Sequence, residues 1–153
     1  MATEETALNH ALEETGLEVT ETDLGEFVVQ LAHERPSHIV SPILHKTKEQ
    51  VSDLLVEHIH IEPSDDPQTL AHEARLYLRQ KFIEADMGIT GANFAIAETG
   101  TLAIVTNEGN GRMCSSLPRV HVVVVGIEKV VPTVDDFSTL VQMLPRSTGG
   151  KRI

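Results

Sequence analysis

The feature that most constrains the fold is an apolar run near the end of the chain, VHVVVVGI at residues 120–127. Four consecutive valines leave no polar face, which is typical of a strand covered on both sides, as in the parallel sheets of α/β proteins. Aromatic residues make up only 3% of the chain. The core must therefore consist of Val, Ile, Leu and Ala, the mixture that buried parallel strands and covering helices use. These observations predict an α/β fold.

Helical and strand periodicities alternate along the rest of the chain. Apolar residues at helical spacing, some preceded by a capping residue such as Asp23 or Thr47, predict five helices. The helices are expected at Thr3–Thr15, Leu24–Ala32, Thr47–His58, Pro67–Ala85 and Val134–Leu144. Short β-rich runs predict five strands, at Leu17–Thr22, His38–Val40, Met87–Thr90, Thr101–Thr106 and Val120–Ile127. With 153 residues, the chain is expected to form one domain at 1–148 and a frayed tail at 149–153.

The charge is unevenly distributed along the chain. Residues 1–75 hold 16 of the 23 acidic side chains but only 4 of the 12 basic ones, and the net charge is −11. Such an acidic surface repels phosphate backbones and anionic membranes, so no nucleic-acid partner is expected. The longest apolar run is far shorter than the roughly 20 residues of a membrane span, and no signal-peptide pattern opens the chain. A cytoplasmic location and no membrane span are therefore expected.

The densest set of potential ligand-binding residues lies between Gly88 and Arg119. Glycine, asparagine and hydroxyl side chains follow predicted strands there, at the sheet edge where open α/β proteins bind ligands. Glycine lets backbone amides approach an anion, and the guanidinium groups of Arg112 and Arg119 suit a carboxylate or phosphate. The predicted ligand-binding residues are Gly91, Asn93, Thr99, Gly100, Asn107, Glu108, Gly109, Asn110 and Arg112, with further hydroxyls at Thr90, Ser115 and Ser116. Tight turns that need positive φ explain the same composition equally well.

Glu98 is the candidate catalytic residue. It lies between the apolar Ala97 and a Thr-Gly turn, where partial burial would suit a carboxylate to acid–base or nucleophilic chemistry. The alternative is a structural carboxylate that accepts hydrogen bonds from turn amides, and the residues favour this interpretation.

No metal site is expected. His58 and His60 would share one face of a strand, with His45 near them in sequence, but no cysteine or carboxylate set completes a zinc site. The single cysteine, Cys114, cannot supply the four thiolates that an iron–sulfur cluster ordinarily needs. Arg112 nearby could lower its pKa, but no histidine or acid completes a nucleophilic set, so a small core residue is the favoured expectation. His121, at the start of the valine run, is expected to be a hydrogen-bonded polar residue at a strand edge.

Longer strings in the chain resemble a known family. ADMGITGANFAIAETGTLAIVTNEGNGR, which begins at Ala85, and LPRVHVVVVGIEKVVP, which ends at Pro132, are similar to the signature of the LUD domain, the lactate utilization domain. ETDLGEFVVQLA from Glu21 and PSHIVSPILHK from Pro36 resemble the lactate utilization protein B branch of that family. The resemblance covers nearly the whole chain, starting at Thr3.

The resemblance implies a fold and a function. The implied fold is a three-layer α/β/α domain with a mainly parallel sheet, like that of the ribose-phosphate isomerase and CoA-transferase group. The implied function is in the oxidation of L-lactate to pyruvate by an iron–sulfur multisubunit complex, with other lactate utilization subunits as partners. Because the cysteine strings are absent, this chain is expected to bind no cluster itself, the clusters lying on a region missing from the sequence or on partner subunits. Its expected role is to position a small anionic ligand and to contact those subunits, and a homo-oligomer is a further expectation.

One departure from the family pattern concerns the first strand. In relatives an apolar strand precedes the stretch that matches Thr3, and related folds place it between the strands near Val19 and Ile89. Both strands would lack a neighbour here, at a cost of roughly 1 to 3 kcal/mol for each buried group left unpaired. Either the two strands close on each other, another chain fills the gap, or the sequence is a fragment of a longer reading frame. The fragment is the favoured expectation.

Two other functional interpretations stay open. The first is a stand-alone isomerase or acyl-transfer enzyme, in which Glu98 acts chemically and the turn at Asn107–Arg112 holds a carboxylate or phosphate. The second is an inactive fragment.

Overall fold

The computed structural model describes residues 6–34, 37, 42–106 and 109–149. Helices and strands alternate within these ranges, which confirms the α/β fold class. The helices are α1 (Leu8–Glu13), α2 (Leu24–Leu31), α3 (Lys48–Ile59), α4 (Pro67–Glu84), α5 (Asn110–Ser116) and α6 (Val134–Gly149), with a 3₁₀ turn at Ile127–Lys129. The strands are β1 (Met87–Gly91), β2 (Phe94–Ile96), β3 (Thr101–Ala103), β4 (Val120–Val124) and β5 (Val130–Val131). No described helix is both long and apolar enough to cross a membrane.

Three helices begin at side-chain caps that the sequence displays. The Asp23 carboxylate accepts hydrogen bonds from the first amides of α2, and Asp66 does the same for α4, which has proline at its first position. Thr47 and Gln50 form a reciprocal capping box at the start of α3. These caps satisfy amides that have no partner within the helix, so each of these helices begins where the sequence predicts.

The strands form two small sheets. β1 and β4 pair in parallel, with Met87 beside Val120 and Gly91 beside Val124. In the second sheet β2 is central: it pairs antiparallel with β3 through a hairpin and parallel with β5. Two of the three strand pairs are thus parallel, but the segments do not form the one continuous sheet that the sequence suggests.

The core joins the helices to the β1–β4 pair. Its buried residues come from α2, α3, α4 and α5, and they are Phe27, Leu55, Leu70, Ala74, Leu78, Phe82 and Cys114. The rings of Phe27 and Tyr77 stack with their centroids 5.6 Å apart. Cys114 is buried here, as expected, and it brings α5 against β1.

Gly88 allows α5 to approach β1 closely. A Cβ atom at Gly88 would lie 2.0 Å from the carbonyl oxygen of Cys114. Only a residue without a side chain fits between the strand and the helix backbone. This contact fixes the position of α5, and with it the position of Arg112.

The prediction that the valine run is covered on both sides is wrong for the described residues. Val120 is 47% and Val122 39% exposed, because β4 pairs with β1 alone and α5 lies on the opposite face, against Gly88. The strand is also shorter than predicted. It was expected to end at Ile127, but β4 ends at Val124, and a 3₁₀ turn begins at Ile127.

Leu17–Thr22 is not a strand, contrary to prediction, because no neighbouring strand pairs with it. Residues 91–100 and 109–119, expected to be loops between strands, contain the strand β2 and the helix α5. The strand expected to span Thr101–Thr106 ends at Ala103. The strand predicted at His38–Val40 lies outside the described residues, and so does the frayed tail expected at 149–153 except for Gly149, which is the last residue of α6.

Candidate functional site

The candidate site lies at the carboxyl ends of β1 and β4. Because these strands are parallel, both chains leave the sheet at the same edge, at Gly91 and Val124. Ligands of open α/β sheets bind outside the carboxyl ends of the strands. The next residues at this edge are Ala92 and Asn93 on one strand, and Val125 and Gly126 on the other.

Asn93 ties this edge to the hairpin. Its N–H donates to the carbonyl of Ala103 at 2.9 Å, and its side-chain oxygen accepts from the N–H of Val105 at 2.8 Å. The loop that follows β3 is thereby held beside the end of β1. Among the described residues, none accepts a hydrogen bond from the side-chain NH₂ of Asn93.

The glycine-containing loop and α5 complete the edge. Gly109 adopts a φ of 88°, in the left-handed region that favours glycine. A Cβ atom at Gly111 would lie 3.3 Å from Cγ2 of Thr106 and 3.7 Å from Cγ2 of Ile104, so the first turn of α5 adjoins the loop that Asn93 holds. Asn107 and Glu108, two of the predicted ligand-binding residues, lie outside the described residues.

Arg112 is the positive group of this edge. It is exposed on α5, and its guanidinium group makes no ion pair with any residue that the structure describes. The hydroxyl of Ser115 donates to the backbone carbonyl of Arg112 at 3.0 Å. This bond does not involve the guanidinium group. Arg119, in contrast, precedes β4 and therefore lies at the opposite, amino end of the parallel pair.

His121 has a partner that the sequence did not indicate. Its Nε2 atom lies 2.8 Å from the Thr90 hydroxyl, across the β1–β4 pair. Both residues lie on the sheet face that α5 covers further along, at Gly88. The expected polar partner of His121 is thus a residue that precedes it by 31 positions, and only the strand register brings the two together.

Glu98 lies at the other end of the hairpin. Its carboxylate accepts a hydrogen bond at 3.0 Å from the N–H of Val134, the first residue of α6. Thr99 and Gly100 belong to the same turn, in which Gly100 has a φ of 67° and donates to the carbonyl of Ile96. The structural interpretation of Glu98 expected bonds from turn amides, whereas this bond comes from a helix amide; the role of Glu98 stays a prediction.

The hairpin therefore separates the predicted site residues into two groups. Asn93 precedes β2 and Glu98 follows it in the turn at 97–100, so the three residues of the strand, about 10 Å at the rise of a strand, lie between them. In one group, Gly91 ends β1, Asn93 bonds the loop after β3, and Gly109, Asn110 and Arg112 belong to the start of α5. The other group, Glu98, Thr99 and Gly100, lies at the hairpin turn beside α6.

A groove of about 460 Å³ lies between residues 17–22 and residues 84–89, which include the first half of β1. Cys114 reaches it, with Sγ 3.6 Å from the Thr22 hydroxyl, and burial raises the pKa of this thiol. Lys81 bonds Glu18 at the rim, and this contact lowers the pKa of Glu18 and raises that of Lys81. A raised thiol pKa disfavours the thiolate, so Cys114 is poorly suited to nucleophilic chemistry.

The histidines of the first half do not converge. His45 bonds Glu34 at 2.7 Å, while His58 contacts the ring of His33 edge-on. His60 ends α3 in a left-handed conformation. Among the described residues, no group of three or more His, Cys, Asp or Glu side chains is arranged to hold a metal ion.

Comparison with known proteins identifies relatives over the full chain. The model of the LUD domain family matches residues 2–153. The chain is 53% identical to lactate utilization protein B of Bacillus velezensis and 52% identical to that of Bacillus subtilis, in each case over 100% of this chain and 32% of the relative. It is also 46% identical to lactate utilization protein B 2 of Bacillus mycoides, with the same coverage.

The chain spans about a third of the length of these curated relatives. No solved structure matches it significantly.

Proposed function

Since the chain belongs to the LUD domain family, we propose that it acts in lactate utilization as a ligand-positioning and interaction domain. The system that it serves oxidises L-lactate to pyruvate in an iron–sulfur complex with other lactate utilization subunits. Within that system, the carboxyl edge of β1 and β4 binds a small carboxylate through Arg112 and the neighbouring backbone amides.

The observation that carries this proposal is the position of Arg112. A guanidinium group presents a planar pair of donors that matches a carboxylate. Arg112 stands at the sheet edge where α/β proteins bind ligands, and no described acidic side chain neutralises it. L-Lactate and pyruvate are both carboxylates, so the chemistry of this edge fits the system named for the relatives.

The iron–sulfur clusters do not fit the residues of this chain. A four-iron cluster is ordinarily held by four cysteine thiolates, whereas the chain has a single cysteine. That cysteine, Cys114, is buried in the core between α5 and the helices. The proposal therefore assigns the clusters to partner subunits or to regions outside this sequence, and assigns no electron-transfer step to this chain.

Ligand binding is tested by isothermal titration calorimetry of the full chain with L-lactate, pyruvate and inorganic phosphate. We expect a carboxylate to bind, and Arg112→Leu to weaken that binding at least tenfold, about 1.4 kcal/mol. Arg79→Leu is the matched control, because Arg79 is an exposed arginine in the middle of α4. Absence of carboxylate binding, or equal losses in the two variants, would exclude Arg112 as the ligand-binding group.

The role in lactate utilization is tested by reconstitution. The other lactate utilization subunits are assayed for lactate-dependent dye reduction with the wild-type chain, with the Arg112→Leu variant and without the chain. We expect the rate to depend on the chain and to fall with Arg112→Leu. A rate that is indifferent to the presence of the chain would refute the proposal, whatever the calorimetry shows.

A further inference from the structure

The chain contains one Asn-Gly pair, Asn110-Gly111, and this pair opens α5. In such a pair the side-chain amide of asparagine is open to attack by the next backbone nitrogen, because glycine has no side chain to obstruct the ring that forms. The other three asparagines, Asn9, Asn93 and Asn107, precede histidine, phenylalanine and glutamate. The sequence alone therefore distinguishes Asn110 from them.

The local geometry brings the reacting atoms of the pair close together. The N–H of Gly111 donates to Oδ1 of Asn110 at 2.9 Å. Since Cγ is one carbonyl bond of about 1.2 Å from Oδ1, the nitrogen lies within about 4.1 Å of the carbon that it would attack. Intramolecular attack needs a separation of about 3 to 3.5 Å, so a rotation of the Asn110 side chain is enough to reach it.

The main chain does not hold the Gly111 nitrogen in another bond. The first N–H groups of a helix have no partner within the helix, and the first main-chain bond of α5 joins the N–H of Met113 to the carbonyl of Gly109. Among the described residues, no backbone carbonyl accepts from the N–H of Gly111. The attack therefore requires no opening of α5 beyond its first residues.

Asn93 provides a comparison within the same chain. Its Oδ1 atom accepts from the N–H of Val105 at 2.8 Å, so its side chain is held against the loop after β3. The nitrogen that would attack it belongs to Phe94, the first residue of β2, which is paired with β3 and β5. These contacts keep the two groups from reacting at Asn93.

From these observations we propose that Asn110 is a site of spontaneous deamidation in the folded protein. The nitrogen of Gly111 forms a bond to Cγ of Asn110, and the side-chain amide leaves as ammonia with the proton of that nitrogen. Water then opens the resulting succinimide ring at either carbonyl and gives aspartate or isoaspartate. The net reaction consumes water and releases ammonia, and it needs no oxidant, reductant or enzyme.

The reaction changes the character of a predicted ligand-binding residue. Oδ1 of Asn110 bonds Gly111, and no described residue accepts a hydrogen bond from its NH₂ group. Deamidation replaces this donor by a carboxylate two residues from Arg112, and a negative charge there repels an anionic ligand. This consequence rests on the proposed function: deamidation weakens the binding of a carboxylate through Arg112.

Deamidation is tested on the full chain in mildly alkaline buffer, both folded and unfolded in urea. The tryptic peptide that ends at Arg112 contains Asn93, Asn107 and Asn110, and its fragment ions in mass spectrometry locate the change. We expect the mass gain of deamidation at Asn110 but not at Asn93 in the folded chain. The rate at Asn110 should be within about tenfold of the rate in urea, because helix ends open at little cost. A slower rate than this in the folded chain, or equal rates at Asn93 and Asn110, would overturn the proposal.

Gly111→Ala tests which nitrogen attacks. The added Cβ atom lies 3.3 Å from the nearest side-chain atom, Cγ2 of Thr106, so a small movement of that methyl group accommodates it. Because a side chain hinders closure of the ring, this variant should deamidate at least about tenfold more slowly. Its Tm, measured by circular dichroism, shows whether the fold is kept. An unchanged rate at Asn110 would exclude attack by the Gly111 nitrogen.

Asn110→Asp, which reproduces the aspartate product, tests the consequence for binding. In the calorimetric titration with L-lactate and pyruvate, this variant should bind at least about tenfold more weakly than the wild type. Gln68→Glu, the same change of amide to carboxylate at an exposed position of α4, should bind as the wild type does. Equal binding by Asn110→Asp and the wild type would refute the consequence alone. Absence of carboxylate binding by the wild type would refute the proposed function and the consequence together, whereas the mass-spectrometric result decides the modification itself.

Discussion

Replacing Gly88 by alanine should destabilise the protein strongly for the addition of a single methyl group. The new Cβ atom would lie 2.0 Å from the Cys114 carbonyl oxygen, whereas ordinary contact begins at 3.4 Å, so α5 must move away by about 1.4 Å. The obstacle is backbone, which no rotamer change can relieve. Overpacking of this kind costs about 1 to 3 kcal/mol. For a chain of this size we expect a fall in Tm of roughly 2 to 12 °C.

Gly91→Ala is the matched control on the same strand. Its Cβ atom would lie 3.8 Å from the Val124 carbonyl oxygen, which is ordinary van der Waals contact. This variant should be neutral, or slightly stabilised because alanine restricts the unfolded chain. Thermal unfolding followed by circular dichroism compares the two variants. Equal Tm values would refute the close approach of α5 to β1, and with it the placement of Arg112.

Three further predictions concern single side chains. The Thr69 hydroxyl and amide hold the pKa of the Asp66 carboxyl below its ordinary value, so its stabilising contribution is present above that ordinary pKa and is lost as the pH falls through the lowered one. Asp66→Ala should therefore flatten the acid limb of a plot of Tm against pH, and an unchanged limb would contradict this. Burial raises the pKa of the Cys114 thiol, so its alkylation at neutral pH should be slower than that of free cysteine and should accelerate in urea. Glu98→Ala removes the acceptor of the Val134 amide and should cost about 1 kcal/mol, whereas Glu98→Gln keeps an acceptor and should preserve Tm. Loss of lactate-dependent activity in Glu98→Gln at an unchanged Tm would instead show a chemical role.

The helices α2, α3 and α4 were predictable because their starts are encoded locally. Asp23, Thr47 and Asp66 each cap a helix within three residues of themselves. Such signals need no knowledge of distant parts of the chain. The long helices α3 and α4 begin and end within one or two residues of the expected positions.

The strands were less predictable because their environment depends on distant residues. The valine run has the composition of a doubly covered strand, but coverage depends on which elements pack there, and Val120 and Val122 remain partly exposed. Phe94–Ile96 is only three residues long and follows the loop-forming residues Gly91, Ala92 and Asn93, so its pairing with β3 and β5 outweighs a local signal for loops.

The candidate site was predictable in part. The sequence placed glycine and asparagine after β1, and the structure ends β1 at Gly91 and puts Arg112 in the first half of α5; that these residues bind a ligand stays a prediction. It could not show that Glu98 lies at the far end of a hairpin, because the distance depends on strand pairing. Nor could it show the contact between Thr90 and His121, which only the parallel register creates.

The contact between Glu98 and Val134 makes the hairpin and the last helix one cooperative unit. Two more contacts reinforce it: the rings of Phe94 and Phe137 lie edge to face at 5.4 Å, and Ala97 donates to the carbonyl of Val131. Elements coupled in this way open together in sub-global unfolding. The amides of β2, β5 and the first turns of α6 should thus exchange with a single opening free energy, as one foldon, while β1 and β4 follow their own.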